Sequence, residues 1–226
     1  MAGPTKRDPR VLKTHTKALI KMTGISPFVM DNIRGADPDD PLTIEIKALT
    51  DKGSTMTPEE RDQRDALRWR RSLYQDDSGA LVYPMRNVLV AIAEAGVPWR
   101  AKTQIIDRGA VTPLSTELAL IYQGPDGKEV NGSPLGPGDL KELYNDPRFR
   151  FRALVNGNPS SGKRRSMVPA MRPIFPIWRM EAQVVVFHNE IGWDKFLDII
   201  AAAGRMGIGN ARKIGMGKFM ANVTEL

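Results

Sequence analysis

The segment RRSMVPAMRPIFPIWR (164–179) constrains the fold more than any other part of the sequence. It cannot be helical, because a proline lacks an N–H donor and has a fixed φ, and the segment contains three of them, at positions 169, 173 and 176. The β-branched run MEAQVVVFH (180–188) follows and predicts a strong strand. An amphipathic helix is predicted over 193–204 and a last strand over 218–223. The second half therefore has the order strand, strand, helix, glycine-rich loop, strand.

The first half begins with a partly alternating strand over 10–24. A charged helix over 57–74 begins with the capping box formed by Thr57 and Glu60. The other predictions for this half are, in chain order, a helix over 41–50, a short strand or extended lead over 80–84, a helix over 84–96, and strands over 103–111 and 115–122.

This order predicts an α+β fold with a ferredoxin-like βαββαβ core and a helical lobe inserted after the first strand. We expect one domain over residues 1–226, with the inserted lobe at 31–80. The segment 124–138 holds five glycines and three prolines, which predicts a surface loop or hairpin.

Composition removes several function classes. The 226 residues include no cysteine and only two histidines, so thiolate metal sites and cysteine nucleophiles are excluded and little is left for acid–base catalysis. We therefore expect no enzymatic activity, no metal site and no cofactor. No apolar run is long enough to span a membrane, and the first residues lack an apolar signal core. We expect a cytoplasmic protein with no membrane partner, in the host cytoplasm if the gene belongs to a phage.

The charges are strongly segregated along the chain. Lys and Arg total 33 against 26 Asp and Glu, a net charge of +7. Residues 148–179 carry eight cationic side chains and no acidic one, whereas residues 31–62 hold nine acidic against four basic side chains. Such a distribution creates a field that attracts a polyanion. The alternative is a basic surface that serves only solubility.

The stretch AAAGRMGIGNARKIGMGKF (201–219) combines five glycines and four cations with no acid. It is not a dinucleotide fingerprint, because the predicted helix precedes the loop instead of following it. Flexible backbone and cationic side chains suit phosphate oxygens, and the candidate residues are Arg205, Gly207, Gly209, Arg212, Lys213 and Lys218. The alternative is a plain helix-to-strand connection whose charges face water.

The stretch GNPSSGKR (157–164) matches the start of a P-loop, but Arg164 replaces the residue that would bind magnesium. The prolines that follow also exclude the helix that a P-loop requires. We interpret the stretch as a hairpin tip that displays Lys163, Arg164 and Arg165, with Arg172 continuing the basic track.

Three aromatic residues interleave with the arginines of this region. Phe149, Phe151 and Trp178 could stack nucleic-acid bases if they line one face of a sheet. Taken singly, each is equally consistent with a place in the core.

The sequence resembles the RAMP superfamily, and within it the backbone subunits of CRISPR effector complexes. The features that carry this resemblance are the early helical insertion, the lead and helix YPMRNVLVAIAEAG, and the loop AGRMGIGNARKIGMGKF after the last helix. It also resembles a group of uncharacterised phage and prophage proteins through the motifs ADPDDP, YPMRN, AMRPIFPIW and AGRMGIG. The resemblance implies a subunit that binds single-stranded nucleic acid and assembles side by side along it.

Three functional hypotheses follow. The first is a phage-type protein that binds single-stranded RNA or DNA as a homo-oligomer, in recombination, replication or strand protection. The second is a phage structural or assembly subunit that pairs its basic strands with the acidic lobe of a neighbour. The third is an endoribonuclease of the RAMP type.

Overall fold

The computed structural model describes residues 14–156 and 167–226. In chain order the strands are β1 (His15–Gly24), β2 (Phe28–Val29), β3 (Val82–Pro84), β4 (Val111–Pro113), β5 (Glu117–Ala119), β6 (Ile121–Gln123), β7 (Glu129–Asn131), β8 (Arg150–Asn156), β9 (Met167–Phe175), β10 (Trp178–Phe187) and β11 (Phe219–Glu225). The α-helices are α1 (Pro41–Thr50), α2 (Pro58–Arg71), α3 (Met85–Ala95), α4 (Lys102–Ile106), α5 (Pro137–Asn145) and α6 (Trp193–Met206).

The central sheet has the strand order of a ferredoxin-like core. β1 lies between β11 and β10, and β10 pairs in turn with β4 and β6, all antiparallel. With α3 between β1 and β4, and α6 between β10 and β11, this is the βαββαβ arrangement. The pairing confirms the α+β fold predicted from the sequence, and with it the fold that the RAMP resemblance implies.

The central sheet buries one face and exposes the other. Along β1, every second side chain from Thr16 to Met22 is buried, and β10 alternates in the same way from Trp178 to Val186. These side chains join the residues of α3 and α6 in one hydrophobic core. The intervening positions, such as Lys17 and Lys21, are exposed, so this face carries no helix layer among the described residues.

The insertion between β1 and α3 contains the two helices expected there. Asp40 caps α1, accepting a hydrogen bond from the Thr43 N–H at 3.1 Å. The capping box of α2 is present, since the Thr57 hydroxyl accepts from the Glu60 N–H and the Glu60 carboxylate accepts from the Thr57 N–H. The described residues of this insertion thus follow the sequence pattern closely.

A second, smaller sheet stands beside the first and has the order β2-β9-β8. β8 and β9 form a hairpin in which Arg150 faces Pro173 and Phe151 faces Arg172. Helix α2 packs on β9. The indole N–H of Trp69 on α2 donates to the Phe149 carbonyl oxygen at 2.7 Å, which fixes the helix at the start of the hairpin.

Two parts of the sequence prediction are wrong. The strand expected over 103–111 is the short helix α4 followed by β4, because only Ile105 of the isoleucine pair is buried while Ile106 is exposed. The strand expected over 115–122 is broken into β5, which pairs with β3, and β6, which pairs with β10. Segment 124–138 forms the β6–β7 hairpin and then enters α5, a helix that the sequence reading missed.

Candidate nucleic-acid interface

The glycines of the loop after α6 serve the loop's own packing. Gly207, Gly209 and Gly217 have φ of +84°, +80° and +70°. A Cβ at Gly217 would lie 1.8 Å from the Ile208 carbonyl oxygen, and one at Gly209 would lie 2.6 Å from that of Val29. The close backbone approach predicted from the sequence is therefore made inside the protein. Contact between these glycines and a phosphate stays a prediction.

The loop is held on β2 by main-chain hydrogen bonds. The Asn210 N–H donates to the Val29 carbonyl oxygen at 2.8 Å, and the Gly217 N–H donates to that of Pro27 at 2.7 Å. The Ile208 N–H donates to the Gly217 carbonyl oxygen across the loop at 2.9 Å. These bonds attach the loop to the edge of the small sheet at β2.

The four predicted loop cations have different surroundings. Arg205, in the last turn of α6, and Lys213 are exposed. Arg212 donates to the Glu94 carboxylate at 2.8 Å. Lys218 is half-buried, and its main-chain N–H donates to the Ser26 hydroxyl. Arg205 and Lys213 are thus the cations of this set most open to a ligand.

Asp31 connects the glycine loop to β9. Its carboxylate lies 3.0 Å from an Arg172 guanidinium nitrogen and accepts a hydrogen bond from the Asn210 amide at 2.7 Å. Burial raises the pKa of Asp31 above its usual value, despite the opposing effects of Arg172 and Asn210. Arg172 also donates to the Ser72 hydroxyl at 3.1 Å, while its Nε finds no partner among the described residues.

Arg172 belongs to a cluster of arginines that the sequence patterns do not predict. Helix α2 carries arginines at 64, 68 and 71, spacings of four and three residues that place them on one helical face. This face lies over the β8–β9 hairpin, which contributes Arg152 and Arg172. We call these five residues, Arg64, Arg68, Arg71, Arg152 and Arg172, the arginine cluster.

A buried carboxylate organises one end of the arginine cluster. Asp65 lies 3.0 Å from Arg64, 3.1 Å from Arg152 and 3.9 Å from Arg68, measured between carboxylate oxygens and guanidinium nitrogens. The five guanidinium groups face the carboxylates of Asp65 and Asp31, and Asp40 also acts on Arg71, so the cationic groups of the cluster outnumber these acidic groups.

The excess charge is partly shielded from water. Burial lowers the pKa of Arg68, and the neighbouring Arg64 lowers it further; burial and then Arg172 lower the pKa of Arg71. Guanidinium groups stay ionised even so, and closely spaced charges with reduced hydration favour a bound anion. Their planar donor geometry matches phosphate oxygens in pairs.

Two of the three predicted stacking residues are core residues. Phe149 and Trp178 are each only 2% exposed, and their rings pack against Phe175 and Phe28. Phe149 precedes β8 in a short 3-10 turn (Pro147–Phe149), so the Phe/Arg alternation does not extend to it. Their assignment as a stacking surface is wrong because no ring face is open. Phe151 is half-buried, and its role stays a prediction.

The other predicted tip residues, Lys163, Arg164 and Arg165, lie outside the described residues. Within residues 14–156 and 167–226, no group of three or more His, Cys, Asp or Glu side chains could hold a metal ion. No helix in the same ranges is both long and apolar enough to cross a membrane.

The sequence contained a signal for the missed part of the site. The stretch RDQRDALRWRR (61–71) repeats arginine at spacings of three and four, which is the pattern of one basic helical face. The pattern by itself predicts a charged helix and does not identify the surface on which it packs. Its position over β9 depends on tertiary contacts that the helix pattern does not contain.

The solved structures that resemble this chain include the following two. The cryo-EM structure of the Type III-B Cmr-beta bound to cognate target RNA contains a chain that is 10% identical, with 94% of this chain and 61% of that chain covered and a TM-score of 0.44. The crystal structure of Cmr6 from Pyrococcus furiosus is 12% identical, with 96% and 100% covered and a TM-score of 0.28.

No family model and no curated protein matches the sequence. The present chain spans about three fifths of the Cmr-beta chain. Because both TM-scores are below 0.5, the fold assignment depends on the strand pairing described above.

Proposed function

We propose that this protein binds single-stranded nucleic acid without cleaving it. The arginine cluster is the observation that carries the proposal, because it concentrates five guanidinium groups between α2 and the β8–β9 hairpin, more than the carboxylates paired with them. Electrostatic contact with the phosphate backbone supplies most sequence-independent affinity for nucleic acid.

The arrangement around the cluster favours a chain of phosphates over a single one. The hairpin that carries Arg152 and Arg172 is joined by the segment that contains Lys163, Arg164 and Arg165. At the other end, Asp31 and Asn210 connect the cluster to the loop with Lys213. A polyanion that runs from the cluster to this loop would meet successive cations, which is how basic surfaces hold a single strand. The RAMP resemblance of the sequence supports the same proposal, including assembly of several copies along one strand. The resemblance to phage and prophage proteins supports a phage-type role.

Salt-dependent binding tests the proposal. We expect a fluorescently labelled single-stranded RNA or DNA oligonucleotide to bind at low salt, with a slope of log K against log salt of about −0.7 for each phosphate contacted. Arg152→Gln should weaken binding and reduce the slope by roughly 0.7. Fluorescence anisotropy at several salt concentrations measures both quantities.

Arg108→Gln is the matched control. Arg108 is 63% exposed and paired with Glu190 at 3.5 Å, whereas Arg152 is 62% exposed and paired with Asp65 at 3.1 Å. The control should bind like the unmodified protein. Absence of binding to both RNA and DNA at low salt, or an equal loss in the two variants, would contradict the proposal.

The contacts of the inserted lobe disfavour the assembly alternative. Several of its acidic groups already pair within the chain: Asp31 with Arg172, Asp40 with Arg34, and Glu60 with Lys52. Fewer remain to receive the basic strands of a neighbour. Sedimentation with and without oligonucleotide separates the hypotheses, because assembly that ignores nucleic acid would favour a structural subunit. Incubation of labelled RNA with the protein, with and without magnesium, tests the nuclease alternative.

A further inference from the structure

The exposed face of the central sheet has an aromatic pair at one end of the two neighbouring strands β1 and β10. His15 on β1 and Phe187 on β10 are directly opposite each other in the antiparallel register. Their ring centroids are 5.9 Å apart and the rings are tilted by 45°. Phe187 is 37% exposed and His15 is exposed as well, so both rings are accessible from solvent.

The neighbouring positions on this face continue the pair into a small platform. Lys17 faces Val185, and Leu19 faces Gln183, with both of these pairs pointing to the same side as the two rings. Lys17 is exposed, while Val185 and Leu19 are half-buried. The face therefore presents two rings, the aliphatic side chains of Val185 and Leu19 beyond them, and the cationic Lys17 in the neighbouring residue pair.

The rest of the sheet gives these rings no packing role. The inward face of β1 and β10 is filled by Ala18, Ile20, Ala182 and Val184, all 1% exposed or less, whereas the ring pair stands on the opposite side. An aromatic pair exposed on a sheet leaves apolar surface in contact with water and contributes little to the core. Such a surface offers π faces on which unpaired bases can stack.

We propose that Phe187 and His15 form a base-stacking platform for single-stranded nucleic acid, with Lys17 contacting an adjacent phosphate. This inference rests on the proposed function and adds a second contact of different chemistry. The arginine cluster would hold the phosphate backbone, whereas the platform would hold bases. Nucleic acid is the occupant that the surface fits, because it alone supplies flat aromatic groups and phosphates in alternation.

Comparison of a normal oligonucleotide with an abasic one of the same length tests the platform. Phe187→Ala should weaken binding of the normal oligonucleotide by roughly 5- to 150-fold, the range found for loss of one stacked base. The same substitution should leave binding of the abasic oligonucleotide unchanged. Phe187→Leu, which keeps an apolar side chain but no ring, should behave like Phe187→Ala and guards against a folding defect.

Met220→Ala is the matched control. Met220 is 68% exposed on the same face, two strands from Phe187, and it has no ring. The Met220→Ala variant should bind both oligonucleotides as the unmodified protein does. Unchanged binding by Phe187→Ala, or an equal loss for the normal and abasic strands, would overturn the platform.

The outcomes separate the two proposals. If Arg152→Gln weakens binding and the Phe187 variants do not, the platform fails and the proposed function stands. If the unmodified protein binds no oligonucleotide, both fail.

Discussion

The glycines of the loop after α6 differ in how closely other atoms pack against them. A Cβ at Gly217 would lie far inside van der Waals contact distance of a neighbouring carbonyl oxygen, while Gly215 has φ of +91° and open space around it. The sequence alone shows five equivalent glycines. The difference between them lies in which one faces the backbone of Ile208 and which one lies at the tip.

Replacement of these two glycines by alanine should separate crowding from backbone strain. Gly217→Ala is expected to lower the free energy of unfolding by about 3 kcal/mol or more, because the 1.8 Å approach forces the loop apart. Gly215→Ala should cost only roughly 1 kcal/mol, from its positive φ. Urea unfolding measures both, and similar losses in the two variants would contradict the packing described here.

Asp31 makes a pH-dependent contribution whose sign follows from its surroundings. Burial raises its pKa from the ordinary value of 3.8, while Arg172, Arg71 and the Asn210 amide act against the rise. A carboxyl group with a raised pKa holds its proton more tightly in the folded state. Its contribution to stability is therefore full below pH 3.8 and is lost as pH rises through the raised pKa.

The variant Asp31→Asn isolates this contribution because asparagine does not titrate. The unfolding free energy of the unmodified protein minus that of the variant should fall as pH increases from about 4. Urea unfolding at a series of pH values measures the difference, and the exposed Asp107→Asn provides the comparison for loss of one carboxylate. A difference that rises with pH would show that the pairing with Arg172 outweighs burial.

For helix α2, the local sequence pattern predicts where the helix begins but not what it packs against. Its start could be predicted to the residue from Thr57, Pro58 and Glu60, because capping depends on neighbours in sequence. Its partners could not, because the contact of Trp69 with Phe149 joins positions 80 residues apart. The spacing of the arginines predicts that they share one face of the helix. It does not predict that this face lies against Arg172.

The N-cap of α2 is therefore a place to test whether this helix depends on its own start. Thr57→Ala removes the hydroxyl that accepts from the Glu60 N–H at 3.2 Å and should cost about 1 kcal/mol. Thr57→Ser should restore most of the loss. Thermal or urea unfolding measures it, with the exposed Thr116→Ala as control; a control variant as unstable as Thr57→Ala would refute the assignment.

For the whole molecule, the topology could be predicted and the site only partly. The order of periodic segments was enough for the βαββαβ core, because β1, β10, β11, α3 and α6 each have a clear pattern, although the second core strand, β4, was misplaced. The short strands β3 to β7 and helix α4 were harder, since three to five residues carry little periodicity. The aromatic residues were misassigned because burial of Phe149 and Trp178 depends on the packing of two sheets.

The pairing of β1 also affects the order in which parts of the protein can fold. β1 is synthesised well before its partners β10 and β11, and the hydrogen bond between the Thr16 hydroxyl and the His188 ring joins residues 172 positions apart. Contacts this distant form slowly, because the entropy of closing the intervening chain is lost before they form. During synthesis, helices α1 and α2 and the β8–β9 hairpin can form from local contacts, while the strand that centres the main sheet waits with its polar backbone unpaired.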